Sequence, residues 1–162
     1  MIVRDARPEE MASTGELRVA AYEAQRLLDV SPGYAATLRA LGAGDGPGEV
    51  LVAVEEDRLL GTVMFEPRHE GSEVARDPAE GEIRALAVAP DARGRGVGRA
   101  LVRAVTDLAA RRGVRLLLLS TQSSMTAAQG LYLSEGFRRL PERDWQPLPS
   151  FTLLAFGLDL PR

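Results

Sequence analysis

The chain has 162 residues, 45% of them hydrophobic, with a formal net charge of −3, no cysteine and a single histidine, His69. That length suits one soluble domain over residues 1–162, while the absence of any apolar run of membrane-spanning length and a charged opening, MIVRDARPEEM, exclude a spanning helix and a signal peptide, so a cytoplasmic setting is expected. Without cysteine there is no thiol nucleophile, no disulfide and no zinc site of the usual His/Cys kind, and His69, in the polar run EPRHEGSE, reads as a loop side chain.

In chain order, MIVRDA reads as a short strand, and Pro8 suits the first turn of a helix carrying Leu17, Ala20, Ala21, Ala24, Leu27 and Leu28 at helical spacing. SPGYAATLRALG predicts a second, shorter helix with Ser31 as cap, Pro32 at its first position and Tyr34, Leu38 and Leu41 on one face before Gly42. DGPG at 45–48 reads as a turn. EVLVAV and RLLGTVMFE, joined by EED, then make an antiparallel hairpin.

Residues 66–82 follow with six acids (Glu66, Glu70, Glu73, Asp77, Glu80, Glu82) against two arginines, an acidic stretch able to draw in a cation. EIRALAV, from Glu82 to Val88, is a strand that ends at Pro90. Val97, Leu101, Ala104, Val105 and Leu108 oppose Arg99, Arg103, Asp107 and Arg111, the pattern of an amphipathic helix closed by Gly113. The wholly apolar VRLLLLS suits a strand buried on both faces in parallel pairing, which completes a βαβ unit. MTAAQGLYLSEGF supplies a short helix stopped by Gly136, FRRLP a weak strand, ERDWQPLPS a loop and FTLLAFGLDL the last strand. No repeat or long linker divides the chain.

The densest chemistry lies in APDARGRGVGRAL. Residues 93–115 hold seven arginines and one acid, and Gly94, Gly96 and Gly98 sit where a helix begins. Glycines let backbone N–H groups approach a ligand, and the unpaired N–H groups of a helix start, with the macrodipole behind them, favour an anion. A pyrophosphate is therefore expected on residues 93–99. All twenty basic residues are arginine, so a phosphate loop that needs lysine is absent. The G-x-G-x-G spacing, past the middle of the chain, also departs from the dinucleotide fingerprint. A basic patch confined to one motif, with 5% aromatics, argues against nucleic acid.

EIRALAVAPDARGRGVGRALV resembles the acetyl-CoA-binding motif of the GNAT superfamily of N-acyltransferases, with Arg93, Gly96 and Gly98 matching its core pattern. A second motif, a helical tyrosine four residues before Gly-Phe, is matched by Tyr132, Gly136 and Phe137. The resemblance implies an α/β sandwich of GNAT type: a mixed, mostly antiparallel sheet with a splayed parallel pair at its centre and helices on both faces. It also implies acetyl-CoA as cosubstrate, held by Leu86, Ala87 and Val88 along the strand and by Arg93, Gly94, Arg95, Gly96, Val97, Gly98 and Arg99 at the turn. The activity implied is acetyl transfer to a primary amine of a small molecule or peptide, by direct attack in a ternary complex.

In that reading the N–H near Leu86 meets the developing oxyanion and Tyr132 is the acid for the departing thiolate. Glu82, eleven residues before Arg93, is a candidate base. Four strand residues from Glu82 to Leu86 span about 13 Å, so water would have to carry the proton. The alternative for Glu82 is a strand-end carboxylate paired with Arg84 or Arg68. Where many family members carry an asparagine this chain has Met125, which leaves Ser123, Ser124 or Thr126 as polar substitutes. Tyr22, Tyr34 and Trp145 are candidate walls of the acceptor site. Family members often pair, so a homodimer is an open alternative to a monomer; no metal and no membrane partner is expected. A non-catalytic acyl-CoA sensor of the same fold is the rival reading, and a nucleotide-binding regulator a third.

Overall fold

Eight strands join into one sheet in the computed structural model, which describes residues 1–29, 31–43 and 46–161. They are β1 (Ile2–Asp5), β2 (Glu49–Glu55), β3 (Arg58–Pro67), β4 (Glu80–Val88), β5 (Leu116–Gln122), β6 (Arg138–Arg139), β7 (Trp145–Leu148) and β8 (Phe151–Asp159). The order across the sheet is β1-β2-β3-β4-β5-β8-β6, with β7 paired to β8. Every pairing is antiparallel except that of β4 with β5. The turn expected at 45–48 begins at Asp45, outside the described residues.

Four α-helices surround the sheet among the described residues: α1 (Met11–Ala24), α2 (Tyr34–Ala40), α3 (Val97–Arg111) and α4 (Thr126–Ser134). Successive side chains of a strand point to opposite faces, and Val50 through Val54 on β2 are all buried, so both faces are covered. On one side α3 turns Val97, Leu101, Val105 and Leu108 into a cluster with Leu51, Val63, Phe65, Leu117 and Phe156. A separate cluster of Val19, Leu28 and Leu38 joins α1 to α2, with Tyr22, Tyr34 and Ala85 packed against it.

Fully buried Arg18 ties these two helices by donating from Nη1 to the carbonyls of Leu38 (3.0 Å) and Leu41 (2.8 Å), which α2 leaves without helical partners. Leu27 and Leu28, expected on the α1 face, lie beyond its end. The chain turns there through Arg26 at φ +59°, and the N–H of Leu27 donates back to Tyr22. Ser31 makes no side-chain cap on α2, which starts from Gly33; its carbonyl instead accepts the N–H of Tyr34 at 3.0 Å.

The segment ERDWQPLPS, expected as loop, holds the end of a 3-10 turn at Pro141–Arg143 and the strand β7. Pro147 lacks a ladder donor and is tolerated because β7 is an outer strand joined to β8 only through Trp145–Leu153 and Leu148–Phe151.

Two features of β4 shape the centre of the molecule. Its parallel ladder with β5 spans only Glu80–Leu116, Gly81–Leu117 and Glu82–Leu118. Beyond that point β4 follows β3 as far as Val88–Gly61, while β5 follows β8 to Gln122–Leu153, so the sheet opens into a V. Within the opened part, Thr62 pairs with Ala87 and Met64 with Arg84, which leaves Ala85 and Leu86 opposite Val63 alone. This is a β-bulge, with Ala85 at φ +52°.

Two buried carboxylates of β4 pin the acidic connection between β3 and β4. Glu80 accepts the N–H groups of Arg76 (2.8 Å) and Asp77 (3.3 Å) and pairs with both terminal nitrogens of Arg143 at 2.9 and 2.8 Å. Glu82 accepts the N–H groups of Glu73 (3.2 and 3.1 Å) and Val74 (3.1 Å).

Two outcomes follow for stability. Leu101 is wholly buried between α3 and the sheet, and Leu101→Ala should cost about 2–5 kcal/mol in a urea titration, by lost transfer energy plus a cavity. Glu80 is held by Arg143 at about 2, below its ordinary 4.5. A carboxyl lowered on folding stabilises above its unfolded value, so this contribution is complete above 4.5 and fades as pH falls toward about 2. Glu80→Gln should therefore flatten the loss of thermal stability between those two pH values, and an unaltered acid limb would remove the pin.

Candidate active site

The start of α3 is built for close approach by an anion. Gly94 and Gly96 have φ of +78° and +81°, a region where a β-carbon is strained, and nothing stands within 4 Å of where that carbon would be. The N–H of Ala100 is the first to close a helical bond, to the carbonyl of Gly96 at 3.1 Å, so the amides of Val97, Gly98 and Arg99 precede the helical ladder. These residues edge a cleft of about 330 Å³ that runs along the parted end of β4, Leu86–Val88, toward α4.

Nine of the ten cofactor-binding residues expected from the sequence line this cleft: Leu86, Ala87, Val88, Arg93, Gly94, Gly96, Val97, Gly98 and Arg99. Arg95 does not, because its guanidinium turns away to the carboxylate of Glu55 at 2.9 and 3.0 Å. Arg99 lines the cleft while bound to Glu135 and, at 3.0 Å, to Ser134 Oγ. Arg93 is exposed and makes no ion pair among the described residues, which leaves its charge to the cleft.

Tyr132 lies at the inner end of the cleft on α4. Its ring is fixed by Phe137 and Phe156, with centroids 5.8 and 6.1 Å away. Burial pushes the phenol above its ordinary range, so it keeps its proton and remains a donor at neutral pH.

A second cavity, of about 220 Å³, opens on the other side of the bulge. Ala85 faces this cavity and Leu86 the cleft, and Tyr22, Leu27 and Met125 line both. The three expected acceptor walls, Tyr22, Tyr34 and Trp145, all line it. Met125 sits where the two spaces meet, with Thr121 Oγ1 at 3.2 Å from its sulfur. Ser123, Ser124 and Thr126 line neither space, so they do not replace the missing amide there.

Among the described residues two charged ones line the second cavity, Glu73 and Arg84; the sequence offered Arg84 only as a partner for Glu82 and Glu73 only as one of six acids. Arg84 Nη1 donates to Glu66 at 3.2 Å and its Nε lies 3.4 Å from Glu73. Two signals pointed to them: an arginine interrupting the apolar strand EIRALAV, and the surplus of acids over residues 66–82. Glu82 lines neither space. Its carboxylate faces the amides of Glu73 and Val74 and is paired with neither Arg84 nor Arg68 among the described residues. Burial pushes Glu82 up, against the opposing pull of the Val74 amide.

Residues 15–137 match the acetyltransferase (GNAT) family model. Over 96 residues the chain is 40% identical to a mycothiol acetyltransferase of Geodermatophilus obscurus, covering 57% of this chain and 30% of that protein. Over 101 residues it is 33% identical to an N-acetylaspartate synthetase of Danio rerio, covering 62% of this chain and 33% of that one. The chain thus spans about a third of the length of these curated relatives. In fold it is similar to the PaiA N-acetyltransferase of Thermoplasma acidophilum in complex with coenzyme A, with a TM-score of 0.73 and 12% identity over 98% of each chain. With its family motifs standing on the cleft and more than half its length matched, the chain belongs to the GNAT family of acetyltransferases.

Proposed function

We propose that this chain is an acetyl-CoA-dependent N-acetyltransferase that moves an acetyl group to the primary amine of a small molecule or peptide. One observation carries the reading: a cleft that begins at an anion-binding helix start and a cavity with a carboxylate in its wall meet at the strand bulge. The relatives bear different names, mycothiol acetyltransferase and N-acetylaspartate synthetase, so likeness supports acetyl transfer without supplying the acceptor.

The residues fit the cosubstrate. Open space over Gly94 and Gly96, unladdered amides at Val97–Arg99 and the charge of Arg93 suit its diphosphate, and Leu86–Val88 offer main-chain groups to its extended arm. When bound it supplies an activated acetyl thioester. The amide of Leu86, held by the bulge, serves as donor to carbonyl oxygen, a role worth on the order of 3 kcal/mol where such a donor is preorganised. Tyr132, buried and protonated, donates toward the leaving sulfur. A thiolate leaves readily, so this proton contributes about a hundredfold or less.

Calorimetry with coenzyme A and a thiol-release assay across polyamines, aminoglycosides, amino acids and peptide N-termini test the proposal together. Heat on mixing and thiol release dependent on one amine class are expected, whereas binding without consumption would make the protein a sensor. Gly96→Val, forced into the left-handed region at a cost of about 1–3 kcal/mol, should weaken coenzyme A binding about tenfold. Tyr132→Phe should lower kcat about 10–100-fold with coenzyme A affinity unchanged, and full turnover in that variant would remove the acid role.

A further inference from the structure

The second cavity has an uneven charge distribution. Arg84 is shared between Glu66 and Glu73, so one guanidinium faces two carboxylates. Glu66 is nearly closed off, its side chain 7% exposed, whereas that of Glu73 is 27% exposed and lines the cavity. The Nε2 of His69 lies 3.5 Å from Glu66 and offsets it only when protonated; with that imidazole neutral, one carboxylate's worth of charge is left uncompensated, and Glu73 is the partner a ligand can reach. Trp145, Leu148, Phe151 and Leu153 give the cavity an apolar, aromatic part of its wall, and the polar side chains there, Ser120, Thr121 and Gln122 among them, are uncharged.

We infer that Glu73 receives the acceptor's ammonium group and takes its proton, and that the cavity selects a primary amine on an apolar, aromatic body with no carboxylate beside the nitrogen. This rests on the transferase reading above for the proton step, but not for the binding of the cation. A carboxylate adjacent to the amine would be brought against Glu73 and Glu66, with the single guanidinium already engaged. A polyamine would place its further charges against the apolar wall.

The backbone supports the assignment. Glu82 accepts the amides of Glu73 and Val74, so the buried carboxylate of β4 fixes the residue that presents Glu73; Glu82 is in this arrangement a positioning residue. Around the Glu73 carboxyl stand Arg84 and the carboxylate of Glu82 on β4, Glu66 on β3, and the hydroxyls of Tyr22 on α1 and Tyr34 on α2. Burial raises Glu73, with Arg84 opposing, which brings it nearer to the affinity a proton acceptor needs at neutral pH. An ammonium that becomes an amide gives up two protons. One passes to Glu73 before nitrogen attacks, the C–N bond forms as the C–S bond breaks, and the second proton leaves with the thiol.

Trp145 is the sole tryptophan and lines the cavity, so its fluorescence reports occupancy without turnover. The probes are 2-phenylethylamine and L-phenylalanine, titrated into the protein saturated with coenzyme A. Phenylethylamine should bind saturably, with phenylalanine at least about tenfold weaker, and Glu73→Gln should weaken phenylethylamine by about thirtyfold with coenzyme A affinity and melting temperature unchanged. In turnover, Glu73→Gln should lower kcat/KM for phenylethylamine about 100-fold and move the rise of rate with pH toward the amine's own titration, while Glu73→Asp retains part of the rate. Equal binding by wild type and Glu73→Gln, or equal binding of the two probes, would overturn the ammonium site. Glu73-dependent binding with no acetylation of any amine would uphold that site and overturn both the proton step and the transferase reading.

Discussion

The parting of β4 from β5 is the constraint on which the site depends. A parallel ladder that stops after three residue pairs leaves the main-chain groups of residues 83–88 and 119–122, on their facing edges, without strand partners. Such groups are costly to leave unmet in a protein interior, and the centre of a sheet is where they are least expected. The bulge at Ala85–Leu86 turns this opening into a site by adding one residue to β4, which shifts its register against β3. Consecutive residues then face different spaces, Ala85 the cavity and Leu86 the cleft. An extended ligand with alternating polar groups can complete the interrupted ladder, as a strand would.

Charge is distributed along this axis with the same economy. Of the three arginines around the glycine turn, Arg95 and Arg99 are bound to Glu55 and Glu135 and stiffen the loop, and Arg93 keeps its charge for the cleft. Of the acids in residues 66–82, Glu80 and Glu82 on β4 are consumed in holding backbone amides and Arg143, and Glu73 in the connection before β4 lines the cavity. The −4 and +6 balances visible in the two segments are therefore poor guides to field strength at the site. Most of those charges are spent on neighbours, and exposed pairs contribute little beyond local order.

How much of this was legible follows from the range of each determinant. The helix α3, its glycines and the order of the strands could be read because periodicity, caps and positive-φ positions are local properties of a few residues. The strand β7 escaped because WQPL has a proline and no alternation, and it exists only by pairing with β8. The end of α1 before Leu27 and the start of α2 at Tyr34 depend on Arg18 and on a left-handed Arg26, neither of which has a sequence signature. That Glu73 and Arg84 come together in one cavity was beyond reach for the same reason, although each left a trace in the sequence. They are eleven residues apart in sequence and meet only because Glu82 draws the connection back over β4.

The meeting point of the two spaces is apolar and phenolic, and this follows from what each end already holds. Positive charge and free amides sit at the glycine turn and negative charge at Glu73, so a neutral junction of Tyr22, Leu27 and Met125 keeps the two fields from cancelling through the site. An asparagine at position 125 would put a polar group there; the thioether of Met125, resting on the Thr121 hydroxyl, fills the volume without adding a competing donor. In the proposed chemistry the amide of Leu86 and the hydroxyl of Tyr132 act as donors there, beside the phenol of Tyr22. In a low-dielectric junction each such donor counts for more than it would in water.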